Sequence, residues 1–181
     1  MIQRSKFDSS IMNIKNIVNT TKNFVIERLI ELIGIIITIF GILLLLSLIS
    51  YSPEDPNFIF PDNLEIKNFL GFYGSFTSDL FFQSIGIVAY LIPLTLFFTG
   101  INIFRYKFIL ILIENLFFVV IYSIFGSLFF SYFYNDTFNL YINGNGGFVG
   151  TYLNQTFLNN FLSHNENILF YILIIIISFL F

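Results

Sequence analysis

LIELIGIIITIFGILLLLSLIS, residues 29–50, is a run of 22 residues that carries one acid, Glu31, and no base. At about 1.5 Å per residue a helix of this length reaches roughly 33 Å, enough to cross a hydrocarbon core of about 30 Å. The run is too long for a signal-peptide core and no small-x-small cleavage site follows it, so it reads as an uncleaved membrane anchor. Working outward, the 28 residues before it are polar, with Arg4, Lys6, Lys15, Lys22 and Arg28 against Asp8 and Glu27. That stretch reads as a basic cytoplasmic arm, with residues 29–181 as the membrane domain.

The remainder of the chain repeats the pattern. Residues 51–79 form a polar loop with Pro53, Pro56 and Pro61, five acids and one Lys, before a second apolar run at 80–104. Only Arg105, Tyr106 and Lys107 separate it from a third run at 108–134, which predicts a tight antiparallel hairpin with a basic tip. Residues 135–167 are rich in Asn and Gly and hold two acids and no base. The last apolar run, 168–181, has 14 residues and reaches only about 21 Å, so the chain is expected to stop inside its fourth helix. The fold class is therefore an all-α membrane protein: four transmembrane helices, the fourth incomplete, and two extracytoplasmic loops.

Whole-chain composition agrees: of 181 residues, 56% are hydrophobic, 10% charged and 27 are Phe, with a mean hydropathy of +0.84. Four apolar blocks leave no room for a separate catalytic domain of ordinary size. With no Cys and one His, a disulfide framework, a thiolate nucleophile and a Cys- or His-cluster metal site are excluded. Lys and Arg number five in the arm and two in the hairpin turn, against one in the first long loop and none in the second. The positive-inside rule then puts the arm and the Arg105/Lys107 turn in the cytoplasm and both long loops outside. Tyr51, Tyr106, Tyr132 and Tyr134 stand at span ends, where they can form an interfacial aromatic belt in a chain without Trp.

Enzymatic motifs fail in turn. A P-loop needs Lys followed by Ser or Thr, and the five Lys here precede Phe, Asn, Asn, Asn and Phe. Gly144, Gly146, Gly147 and Gly150 have the rough order of a dinucleotide fingerprint, but the third glycine falls one place late and no strand precedes it. They instead allow a sharp turn and close backbone approach. Behind them Val149, Leu153, Phe157 and Phe161 recur at helical spacing, predicting a short helix in the outer interface; the competing reading is a flexible polar loop. His164 lies in the same Asn-rich loop and is not expected to bind metal.

Glu114 is the one ionisable residue deep inside an apolar run, which makes it a functional candidate, as the carboxylate of a small transporter or channel subunit. Lys107 lies seven residues earlier on the same helix face, so snorkelling or pairing toward the cytoplasmic interface is the plainer account. Pro93, in mid-span, predicts a kink in the second helix, with Gly86 and Gly100 easing close helix contacts. Asp79 is placed to open that helix and complement its dipole. A third reading, a scaffolding or sensory protein whose basic arm holds anionic lipid, uses none of these residues.

Several short strings carry a resemblance. Ser50-Tyr51-Ser52-Pro53-Glu54-Asp55-Pro56-Asn57-Phe58 resembles the S-[YF]-x-P-x-D-P-x-[WF] signature of the four-helix membrane domain of FtsK/SpoIIIE-type DNA translocases. Asn68, Gly71, Gly74 and Asp79 fall as in the family's N-x-x-G-x-x-G-x-x-x-[AS]-D. Gly86, Ala89, Tyr90 and Pro93 are similar to its G-x-x-A-Y-x-[IV]-P second helix, closed by a base at Arg105. Gly146, Gly147 and Gly150 resemble the G-G-x-[IVL]-G before its fourth helix. Order and spacing agree from about residue 29 to 165. The departures are Tyr73 in place of a small residue or Pro, Phe58 in place of Trp, the short fourth helix and, above all, the missing linker, RecA-like motor and winged helix.

What the resemblance implies is the membrane half of a cell-division and chromosome-segregation protein in the bacterial inner membrane. It anchors the translocase at the septum and contacts septal division proteins and further copies of itself. DNA would be handled only by the absent motor, and no catalytic residue, cofactor, metal or small-molecule substrate is expected in this chain. Pro53, Asp55 and Pro56 would shape the first loop, Gly71 and Gly74 would make its turns, and Asp79 would begin the second helix.

Overall fold

A computed structural model describes residues 2–56, 65–134, 143–158 and 166–180. Asn57, Phe58, Pro61, Phe161 and His164, named above, lie outside the described residues. Every regular element among the described residues is helical. Three helical stretches, Val18–Ile49, Gly71–Tyr106 and Leu110–Phe133, are long and apolar enough to cross a membrane.

Helix α1 runs from Ile2 to Ile49 without a break. No Pro occurs before Pro53 to interrupt it, and its 48 residues extend about 72 Å, more than twice a hydrocarbon core. The basic arm and the first span are thus one helix. Helix α2, Gly71–Ile85, is followed by a 3-10 turn, Gly86–Tyr90, and by α3, Leu91–Tyr106. Lys107 then takes the left-handed conformation, with φ of 56°, and donates its N–H to Ile103 at 2.8 Å, closing α3. Helix α4 is Leu110–Phe133, α5 is Gly147–Leu153 continued by a π-helical turn at Asn154–Leu158, and α6 is Glu166–Leu180.

Helices α1 and α3 pack backbone to backbone. A Cβ on Gly34 would stand 2.8 Å from the Gly100 carbonyl oxygen, and one on Gly41 would stand 2.9 Å from the Phe97 nitrogen. Small residues at such a seam let dispersion forces act between helices where lipid removes the hydrophobic drive. At one end of the seam Lys107 Nζ reaches Glu27 at 2.9 Å and Glu31 at 3.3 Å; at the other, the Tyr90 hydroxyl donates to the Leu48 carbonyl at 3.3 Å. Helix α4 lies against α3 through Thr95–Tyr122 at 2.9 Å and Asn115–Thr99 at 2.6 Å. The Phe170 ring of α6 packs against Phe129, tilted, and edge-on against Phe133, with ring centroids 5.4 and 5.0 Å away.

The second span departs from the expected helix over 80–104. Its helix begins at Gly71, so Asp79 is the ninth residue of α2 and cannot cap it. The bend falls at Gly86, with φ of 65° and ψ of −144°, and not at Pro93. Only glycine adopts that conformation without strain. Pro93 is the third residue of α3, where its missing N–H would have had no intrahelical partner. Helix breaks inside a membrane need new partners for the freed backbone, and here the Ile87 N–H donates to the Asn145 carbonyl at 2.9 Å, while the Ser127 hydroxyl donates to Ile85 at 3.0 Å.

The bend is sharp. If α2 continued the line of α3, Gly74 would lie about 24 Å beyond Tyr90 at 1.5 Å per residue. Instead the Ser47 hydroxyl donates to the Gly74 carbonyl at 2.7 Å, one residue from the turn of α1 that Tyr90 touches. Helix α2 therefore folds back over the Ser50 end of the bundle.

Candidate functional site

The signature residues converge on that end. Pro53 leads into a short turn in which the Asp55 N–H donates to the Ser52 carbonyl at 3.2 Å. The Asp55 side chain, 4% exposed, accepts the backbone N–H of Lys67 and of Asn68, each at 2.9 Å. An ionised carboxylate is the acceptor best suited to hold two backbone donors at once. Asn68 passes the connection inward: its amide donates to the Ser47 carbonyl at 2.9 Å and its side-chain oxygen accepts the Leu70 N–H at 3.1 Å. The Ser75 hydroxyl donates to the Pro56 carbonyl at 2.8 Å, and Ser50 Oγ accepts the Phe69 N–H at 3.1 Å.

Tyr51 and Tyr90 clamp α2 from two sides. The Tyr51 hydroxyl donates to Asp79 at 3.2 Å, and its ring lies 4.8 Å from that of the buried Phe82, which the Tyr90 ring meets at 5.2 Å. Leu44, Leu48, Phe82, Ala89 and Ile92 form the core beneath. Gly71 starts α2 with φ of 64°, while Gly74 presses its backbone against Asn68, where a Cβ would overlap the amide oxygen. Gly74 is thus a contact residue inside the helix and makes no turn.

The second glycine group docks at the same end. A Cβ on Gly86 would overlap the Asn145 carbonyl oxygen, one on Gly146 or Gly150 would overlap that of Ser127, and one on Gly147, φ of 63°, would stand 2.5 Å from the Gly86 nitrogen. These glycines let residues 143–153 settle into the gap that the α2 break opens beside α4. Of the stripe read in the sequence, Val149 and Leu153 lie in α5 and Phe157 in the π-helical turn after it; Phe148 and Tyr152 face outward, while Val149 lines an apolar cavity of about 410 Å³ between α2, α3 and α4.

Two polar residues stand away from this assembly. Arg105 is exposed, its guanidinium 5.6 Å from the Tyr106 ring. Glu114 lies on the exposed side of α4, and Lys107, read above as its partner, bonds to Glu27 and Glu31 instead. At the water-facing edge of the loop Lys67 forms an ion pair with Glu54; that partner holds Lys67 above its ordinary pKa and Glu54 below its own.

Ser47, Ser75, Ser78, Phe82 and Asn145 were not singled out by their sequence context, yet all are buried in this assembly. Ser47 alone left a signal, as a polar residue within the last apolar turn of α1.

Comparison with known proteins identifies the family. Residues 27–181 match the family described as the 4TM region of DNA translocase FtsK/SpoIIIE. The DNA translocase FtsK of Rickettsia bellii (strain RML369-C) is 35% identical over 75 residues, 41% of this chain and 10% of that protein. That of Azospirillum brasilense is 36% identical over 76 residues, 41% of this chain and 12% of the relative. That of Rickettsia typhi (strain ATCC VR-144 / Wilmington) is 34% identical over 94 residues, 51% and 12%. The match thus spans about a tenth of the length of these curated relatives. No solved structure matches the chain. With nearly the whole of its length from Glu27 onward matched, the chain belongs to the family of the membrane-spanning 4TM region of FtsK/SpoIIIE-type DNA translocases.

Proposed function

We propose that this chain is the membrane-anchoring and septal-assembly module of an FtsK-type DNA translocase, acting in bacterial cell division and chromosome segregation. The observation that carries the reading is the family match over residues 27–181, supported by the meeting of Tyr51, Asp55, Asn68, Asp79, Gly86 and Tyr90 at one end of the bundle. ATP-driven translocation of DNA is assigned to the parts of such proteins beyond the matched tenth. This chain contributes anchorage and contact, without a catalytic residue, cofactor or small-molecule substrate of its own.

The asymmetry of Lys and Arg supports an inner-membrane topology with residues 1–28 and the Lys107 turn in the cytoplasm and the Ser50 end outside. Residues 29–181 then form one membrane domain in which α1, the Gly86–Tyr106 stretch and α4 cross, α6 begins a fourth, incomplete crossing and α5 rests at the outer interface. Its partners are the bilayer, septal division proteins and further copies of the chain. Transport through Glu114 gains no support, because that carboxylate is on the exposed side of α4 and not against the cavity. A fluorescent fusion of the chain in dividing bacteria tests the proposal: a band at the septum is expected, and even labelling of the whole membrane would overturn septal assembly.

A further inference from the structure

Helix α2 is built inside out for a helix in water. Its buried face is Gly74, Ser75, Ser78, Asp79 and Phe82, mostly small and polar. Phe72, Tyr73, Phe76 and Leu80 form the opposite stripe, with Tyr73 82% exposed, and Phe69, 74% exposed, extends it just before the helix begins. The Phe72 and Phe76 rings stack with centroids 6.4 Å apart, and no charge interrupts the stripe. A surface helix of a water-soluble protein shows the reverse pattern, and a contiguous apolar patch of this kind marks a contact with lipid or protein.

The surroundings decide between them. Leu70, Tyr73 and Thr77 line one cleft with Phe40, Leu43 and Leu44 of α1. Phe40 and Leu43 are exposed, and at 1.5 Å per residue Phe40 lies about 15 Å inside Ser50 along the spanning helix. At the far end of the stripe Leu80 shares the larger cavity with Val120, itself exposed halfway along α4. Both ends of the α2 stripe therefore merge with faces that spanning helices turn toward hydrocarbon.

We infer that α2 is a membrane-interfacial helix, its aromatic stripe sunk in the lipid leaflet at the Ser50 end and its small polar face resting on the bundle. The inference rests on the reading that α1 crosses the bilayer. The lipid takes up the face that water would reject, at the depth of roughly 5–10 Å usual for interfacial helices. The Asp55 and Tyr51 contacts then fix the height and angle at which the helix enters.

The chain has no Trp, so single Trp substitutions report depth directly. Tyr73→Trp and Phe72→Trp, reconstituted into phosphatidylcholine vesicles, should emit at blue-shifted wavelengths and lose about two-fold in intensity when the acyl chains are brominated near the headgroup, as a chromophore at interfacial depth does. Ile36→Trp in α1 serves as the bilayer reference and Glu65→Trp as the water reference. Emission from both α2 variants matching that of Glu65→Trp would overturn the inference. Blue-shifted emission that brominated lipid does not quench would overturn it in favour of a protein cover, such as a second copy of the chain. Failure of bromine at any depth to quench Ile36→Trp would instead remove the spanning reading of α1 on which the inference stands.

Discussion

The Asp55 carboxylate accepts the backbone N–H of Asn68 at 2.9 Å across thirteen positions of sequence, and so closes the loop that leaves α1 and returns as α2. A second bond, from the Lys67 N–H, makes the closure two-pronged. Asp55→Ala leaves the Asn68 donor buried without its acceptor, at a cost of about 2–3 kcal/mol. The expected outcome is a lowered melting temperature in detergent, with Asp55→Asn, which keeps one acceptor, falling between the variant and the parent.

Gly86 and Gly71 share a positive φ but not an environment. A Cβ at Gly86 collides with the Asn145 carbonyl, whereas one at Gly71 meets nothing within 4 Å. Gly71→Ala should cost only the conformational penalty of roughly 1 kcal/mol, and Gly86→Ala should exceed it several-fold by adding the clash. Thermal unfolding of the two variants side by side checks the ranking, and equal losses would contradict the docking of residues 143–147 against the break.

The Glu54–Lys67 pair gives the loop a pH signature. Lys67 holds the Glu54 pKa below its ordinary value, and Glu54 holds that of Lys67 above its own. Stabilisation from the pair is therefore complete above the usual carboxylate range and is lost as pH falls through the lowered Glu54 value. At the alkaline end it is complete below the ordinary lysine pKa, about 10.4, and is lost as pH rises through the raised value. Carboxyl NMR titration of Glu54 should show its midpoint return upward in Lys67→Gln. High salt should move it the same way, because both side chains are exposed.

How much of this was legible beforehand differs between elements. The spanning part of α1 and the whole of α4 could be placed from uniform apolar runs, since length and hydropathy alone decide a crossing; the continuation of α1 through the polar residues before 29 could not. The second span could not. An apolar run from residue 80 onward looks the same whether its helix is straight or bent, and the positive φ of Gly86 leaves no trace in hydropathy. The first half of α2 looked like loop because its small polar side chains are the buried ones, which inverts the pattern that identifies a helix in water. Asp79 was for that reason read as a cap when it is the Tyr51 acceptor in mid-helix. The signature residues could be gathered as a set by resemblance, but their partners, Ser47 and Phe82 among them, are brought to them only by the fold-back, which no local pattern encodes.

That fold-back is tested most directly by a distance. The chain has no Cys, so Phe40→Cys and Tyr73→Cys can carry a single pair of spin labels in otherwise unaltered protein. With the two residues lining one cleft, electron-electron dipolar spectroscopy in lipid should give a distribution centred at about 20 Å or less. Were α2 to continue the line of α3, the same pair would stand about 37 Å apart along the bundle axis at 1.5 Å per residue. A distribution at that longer distance would contradict the account.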